Sequence, residues 1–101
     1  MLTVLPALPA AALGTAYSYC YPSGQVAGYS YRNANFSGGG STQTLPGCNA
    51  YTVYLRLEYQ PYPGGPYYMT TQQIGANYIG FSQSGTSGGR HSAVGVAEFP
   101  S

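Results

Sequence analysis

The sequence predicts an all-β fold: a small antiparallel β-sandwich of about six to seven short strands with one disulfide. Three observations carry this expectation. Several short runs alternate in polarity with a period of two, as half-buried strands do. Breaks rich in the 15 glycines and 8 prolines separate those runs, at a spacing of roughly ten residues that suits a sandwich or barrel. No stretch shows the 3.6-residue periodicity of an amphipathic helix.

Residues 1–16 contain the one stretch without a strongly polar side chain, LTVLPALPAAALGTA at 2–16. Two readings fit it. It resembles the apolar core and small-residue exit of a secretory signal, with cleavage after Ala16. Alternatively it is an extended apolar arm, kept from helix by Pro6 and Pro9, that docks in a groove of a neighbouring subunit as a donor strand. It is too short and too interrupted to span a membrane. Residues 17–101 then form a single sandwich domain.

Within that domain, residues 16–21 (AYSYCY) place Tyr17, Tyr19 and Tyr21 on one face, and residues 25–32 (QVAGYSYR) pair Tyr29 with Tyr31. Pro22-Ser23-Gly24 between them reads as a turn, so a hairpin opens the domain. Residues 33–47 are expected to be the longest loop, with Gly38-Gly39-Gly40 at its centre, because a glycine run holds no shape by itself. Residues 51–59 (YTVYLRLEY) give the strongest strand: Val53, Leu55 and Leu57 on a buried face, Thr52, Tyr54, Arg56 and Glu58 on the other. Arg56 and Glu58 are expected to pair at the surface. QPYPGGP at 60–66 breaks that strand, and residues 67–73, 77–83 and 91–99 form three more, with a loop at 85–89. Cys20 and Cys48, the two cysteines, read as a structural disulfide formed outside the cytosol.

Composition also narrows function. Twelve tyrosines stand beside three basic and two acidic residues, with no lysine, aspartate or tryptophan. Ordinary domains carry about a quarter charged residues. Disordered chains are poor in aromatics, which this chain is not. Arg32, Arg56 and Arg90 are too few for a phosphate-binding stripe, so nucleic acid is not an expected partner. His91 is a lone histidine, too little for a metal site, and no cofactor motif occurs. Acid–base chemistry could draw only on His91, Glu58 and Glu98; no nucleophile elbow precedes a serine, and His91 reads as a strand-start residue beside Arg90. No catalytic residue is assigned. Asn35-Phe36-Ser37 forms a glycosylation acceptor pattern at Asn35.

The tyrosines are the remaining signal. Tyr17, Tyr19, Tyr21, Tyr29, Tyr31, Tyr62, Tyr67 and Tyr68 cluster beyond what a thin core needs, and tyrosine suits interfaces because one end is apolar and the other wet. The expectation is a secreted, non-enzymatic assembly or adhesion subunit whose partner is itself or another extracellular protein. The rival is a monomeric secreted binding or effector module (a glycan binder, peptidase inhibitor or antimicrobial protein) working through the loops at 33–47 or 85–90.

Overall fold

A computed structural model describes residues 13–101, in which nine strands form two antiparallel sheets. The front sheet has the order β1-β2-β3-β7, built from β1 (Gly14–Cys20), β2 (Gly24–Arg32), β3 (Gly38–Thr44) and β7 (Tyr78–Ser82). The back sheet centres on β4 (Thr52–Tyr59) and β8 (Thr86–Ala93), with β9 (Val96–Pro100) outside β8. Two short strands, β5 (Tyr68–Met69) and β6 (Gln73–Ala76), share the other edge of β4. The fold class expected from sequence is therefore the one observed. The domain holds more strands than expected because residues 38–44 form β3, the run at 67–73 holds only short β5 and the start of β6, and the run at 91–99 is two strands around a turn at Val94-Gly95.

The alternation in β4 works as its pattern demands. Val53, Leu55 and Leu57 are completely buried, and Val26 of β2 and Cys20 of β1 cluster with Val53 from the front sheet. Each such aliphatic side chain contributes roughly 1.5–3 kcal/mol when removed from water. Cys20 and Cys48 are bonded, so the disulfide joins the end of β1 to the turn after β3. The opening hairpin also forms, with Tyr17 opposite Ala27 and Tyr19 opposite Gln25.

The glycine run at 38–40 is a correction. It is no loop: Gly38, Gly39 and Gly40 are buried in β3, paired to β2 on one side and, for Gly39 and Gly40, to β7 on the other. The turn before it occupies only residues 33–37, where Asn33 N–H and Phe36 N–H close hydrogen bonds to Ser37 O and Asn33 O. The reason is lateral space. A Cβ on Gly40 would lie 2.7 Å from Leu57 Cδ2, across the gap between sheets. The same correction applies at 85–89, where only Ser84 and Gly85 turn and Thr86 already begins β8. Two neighbouring strands supply the rigidity that glycine lacks alone.

His91 is a second correction. It sits in mid-strand, fully buried, with Leu55 as its register partner. Its ring reaches Thr42 Oγ1 at 2.8 Å through Nδ1 and Ser101 Oγ at 2.6 Å through Nε2, and Ser101 Oγ lies 2.9 Å from Ser30 Oγ. The network thus ties β2, β3 and β8 to the residue after β9. Gly28 and Gly89 make room for the imidazole; a Cβ on Gly28 would overlap the ring itself. We expect Gly28→Ala to destabilise the domain by about 1–3 kcal/mol through overpacking, measured as a shifted denaturation midpoint, and a neutral result would mean that the ring has free space to move.

Arg56 does not pair with Glu58. Its guanidinium reaches both Glu98 oxygens at 2.8 Å across β8, while Glu58 is buried and accepts a bond from Ser87 Oγ at 3.1 Å. Glu58 is instead held in a buried position by Ser87, which leaves the partly exposed Glu98 of β9 as the carboxylate for Arg56. With both partners about a third exposed, Glu98→Gln should cost no more than about 1 kcal/mol in denaturant titration.

The signal and docking-arm readings of residues 1–16 fall on 1–12, which lie outside the described residues. Residues 14–16 belong to β1, with Ala16 opposite Gly28, so a cut after Ala16 would fall inside that strand.

Candidate interaction surfaces

The front sheet turns an uncharged face to solvent. Register sets its rows: Thr15, Tyr29, Ser41 and Gly80 lie across the four strands in one, and Tyr17, Ala27, Gln43 and Tyr78 in the next. Tyr19 opposite Gln25 and Tyr31 opposite Gly39 extend it at either end. Tyr17 and Tyr19 are 57 % and 64 % exposed. Tyr29 and Tyr31 stack with ring centroids 5.6 Å apart, an arrangement that holds both rings upright on β2. Beside them a groove of about 330 Å³ runs between Tyr29, Tyr31 and Tyr78 over Ser41 and Gly80.

The ionic residues are elsewhere. Arg56, Arg90, Glu58 and Glu98 all belong to the back sheet, with Arg56 and Arg90 directly opposed and Glu58 opposite Gly88. Arg32 ends β2 but turns aside, its Nη1 donating to Gln60 Oε1 at 3.3 Å and its guanidinium lying 5.6 Å from the centre of the Phe36 ring. Four of the five charged side chains thus belong to the back sheet, and the tyrosine-bearing outer face of the front sheet is neutral.

A second concavity lies at the end of the sandwich where the disulfide sits. This cleft, of about 470 Å³, is walled by Tyr21, Tyr51 and the β8–β9 turn at Val94-Gly95, with Cys20 and Val96 beneath and Asn49 and Thr52 contributing the polar groups. Three turns distant in sequence build it. Tyr21 is 72 % and Tyr51 64 % exposed.

Tyr62, Tyr67 and Tyr68 stand at the opposite end, after β4, all exposed. Tyr68 tilts against Tyr59 at 6.0 Å. Of the tyrosines expected at an interface, the structure therefore groups Tyr17, Tyr19, Tyr29 and Tyr31 on one face and separates Tyr21 from Tyr62, Tyr67 and Tyr68 by the length of β4. Sequence reading passed over Tyr51 and Tyr78, since neither stands in a cluster; the signal available was that each flanks a strand boundary. Asn35 is exposed in the 33–37 turn, where its Oδ1 accepts from Ser37 N–H and Oγ–H at 3.1 and 2.7 Å.

The titratable residues do not converge. Glu98 engages Arg56 on the outer side of the back sheet while His91 faces inward, and the His91 Nδ1 partner is Thr42. Burial, opposed by a hydrogen bond with the Ser41 backbone and assisted by the positive charge of Arg90, lowers the His91 pKa to about 4.

Compared with known protein families, curated proteins and solved structures, the chain has no match.

Proposed function

We propose that this is a non-enzymatic, secreted assembly or adhesion protein that binds a protein partner, another copy of itself foremost, through the outer face of the front sheet. The observation that carries the reading is the division of character between the sheets. The front face offers tyrosines, amides and glycine with no charge to desolvate, which removes one of the penalties in forming a contact. Tyrosine is enriched at such contacts, adding area with little side-chain entropy to lose. Low net charge weakens the repulsion that keeps ordinary domains apart. The disulfide supports an extracellular setting, and among the described residues no helix is long and apolar enough to cross a membrane. The monomeric effector alternative relied on long loops, of which 38–44 and 86–90 lie in strands.

The test is sedimentation over a wide concentration range with the protein and a Tyr17→Ser/Tyr29→Ser double variant. We expect concentration-dependent association that weakens at least tenfold in the variant, since two interface tyrosines each contribute on the order of 1 kcal/mol or more. Both side chains point outward, so the melting temperature should move little. Monomers throughout, together with stacking on a sugar in a glycan panel, would instead support a monomeric glycan binder.

A further inference from the structure

The side chains that a one-electron oxidant could attack are few in kind. The chain has twelve tyrosines and no tryptophan, and among the described residues no cysteine is free. Tyrosine is therefore the side chain that gives up an electron most readily. What the resulting phenoxyl radical does depends on whether a second phenol stands within reach. Tyr29 and Tyr31 have ring centroids 5.6 Å apart, and Tyr59 and Tyr68 lie at 6.0 Å. Tyr29 and Tyr31 are two residues apart on β2, so a bond between them would constrain nothing beyond that strand. Tyr59 and Tyr68 belong to different strands.

The fold holds this second pair in register. Tyr68 is the partner of Tyr59, and Met69 of Glu58. One residue further on, Thr70 N–H donates to Leu57 O and Leu57 N–H to Thr70 Oγ1, both at 2.9 Å. The chain between the two tyrosines is fixed as well. Gly65 N–H donates to Tyr62 O at 2.9 Å, and the buried Gln60 donates from Nε2 to Gly65 O at 2.8 Å. Side chains directly opposed on antiparallel strands have Cβ atoms about 4.5–5.5 Å apart, and these two rings are inclined by 38°. Tyr68 is 50 % exposed and Tyr59 half-buried, so an oxidant reaches the pair through Tyr68.

We propose that Tyr59 and Tyr68 are a site of oxidative cross-linking, coupled by a haem peroxidase and hydrogen peroxide into a dityrosine that joins β4 to β5. Each phenol gives one electron and one proton to the oxidant, and one hydrogen peroxide takes up both electrons and both protons to become two waters. The two radicals pair their electrons in a new bond between ring carbons ortho to the hydroxyls. Each of those carbons releases its proton as its ring oxygen regains one, which restores both phenols and leaves the chain lighter by two hydrogens. The disulfide supports the setting, since the compartments in which such bonds persist are oxidising. A tethered partner acts at an effective concentration in the millimolar range, so at about 10 μM protein coupling within the chain outruns coupling between chains by about a hundredfold. The two-residue β5 has little pairing of its own, and the bond would close the loop that leads to it, in the back sheet, as the disulfide closes one in the front. The site does not depend on association between copies.

The test treats the full chain with peroxidase and hydrogen peroxide, isolates the single-chain product under denaturing conditions and digests it with trypsin. Cutting at Arg56 and Arg90 releases residues 57–90 as one fragment. That fragment should weigh two hydrogens less than before, with dityrosine fluorescence, and its fragmentation should place the bond between Tyr59 and Tyr68. Oxidation of Met69 adds an oxygen instead, so mass separates the two events. Tyr59→Phe and Tyr68→Phe keep the ring and lack the hydroxyl from which the radical forms; each should lower this product at least about tenfold, to the level of untethered encounters, with an unchanged circular dichroism spectrum. The cross-linked protein should unfold at higher urea than the untreated protein, and treated Tyr68→Phe should show no such shift. A fragment 57–90 of unchanged mass, or a bond between other tyrosines, overturns the site, and so does a product whose urea midpoint has not moved. Because the product is read on single chains, its failure leaves the association reading to its own sedimentation test.

Discussion

Replacing Cys20 and Cys48 together with serine is expected to lower the unfolding free energy by about 3–4 kcal/mol. The bond closes a chain segment of sequence separation 28, and the number follows from the loop entropy that the unfolded chain regains. Placement adds a structural reason for it to matter. The closed segment contains all of β2 and β3, the two inner strands of the front sheet, while β1 stands at its edge. The bond fixes where β1 ends relative to the turn after β3, and Pro22 bridges to Cys48 beside it. Against a total stability of about 5–15 kcal/mol for a domain, the loss is large. Urea titration with and without a reducing agent is the direct measurement. Reduction should also raise the denaturant dependence, because an uncrosslinked unfolded chain exposes more surface. A shift below about 1 kcal/mol would mean that the unfolded chain stays compact around this segment without the bond.

Acidification is expected to act through His91 with nearly the same force. The folded imidazole titrates at about 4 and an unfolded one at 6.5. Between those values the unfolded chain takes up a proton that the folded chain refuses, so stability is complete above pH 6.5 and declines as pH falls toward 4. The drop at pH 4 is about 3 kcal/mol for a gap of this width. Burial is the main cause: the ring lies between the sheets, where an added charge would find the neutral hydroxyls of Thr42 and Ser101 and the Ser41 backbone, and no carboxylate partner is among its bonds. No second histidine exists to blur the effect. Denaturant titrations at pH 7, 5.5 and 4, repeated on His91→Gln, isolate it. The variant should lose the slope between pH 6.5 and 4 whatever its absolute stability, and a slope that survives in His91→Gln would assign acid sensitivity to other groups.

The fold was legible where a residue's preference and its environment coincide. The alternation of β4, the opening hairpin and the cysteine pair all have local or pairwise signatures that survive without knowledge of neighbours. Glycine is the opposite case. Gly38, Gly39, Gly40, Gly88 and Gly89 look like loop residues because glycine's freedom is visible in sequence, whereas the closeness of a facing side chain is not. His91 failed similarly, since the partners that satisfy it, Thr42 and Ser101, lie 49 and 10 residues away. At the candidate surfaces, Tyr17, Tyr19, Tyr21, Tyr29, Tyr62, Tyr67 and Tyr68 are exposed and Tyr31 is half-buried. What clustering could not reveal was grouping: register decides which tyrosines share a face, and three separate turns decide that Tyr21 and Tyr51 share a cleft.

The glycines that floor the seam between the sheets carry a consequence for reading variation in this chain. Gly28, Gly40 and Gly89 each lack room for a single carbon atom, so substitutions there should cost stability, more as the side chain grows. The outward tyrosines should accept phenylalanine with far less harm. A saturation scan scored on folding would therefore draw its darkest patch around positions that meet no partner and perform no chemistry, while the surface we assign to binding would look permissive. Only a scan scored on association, divided by one scored on abundance, would bring the tyrosines forward and let the interior fade.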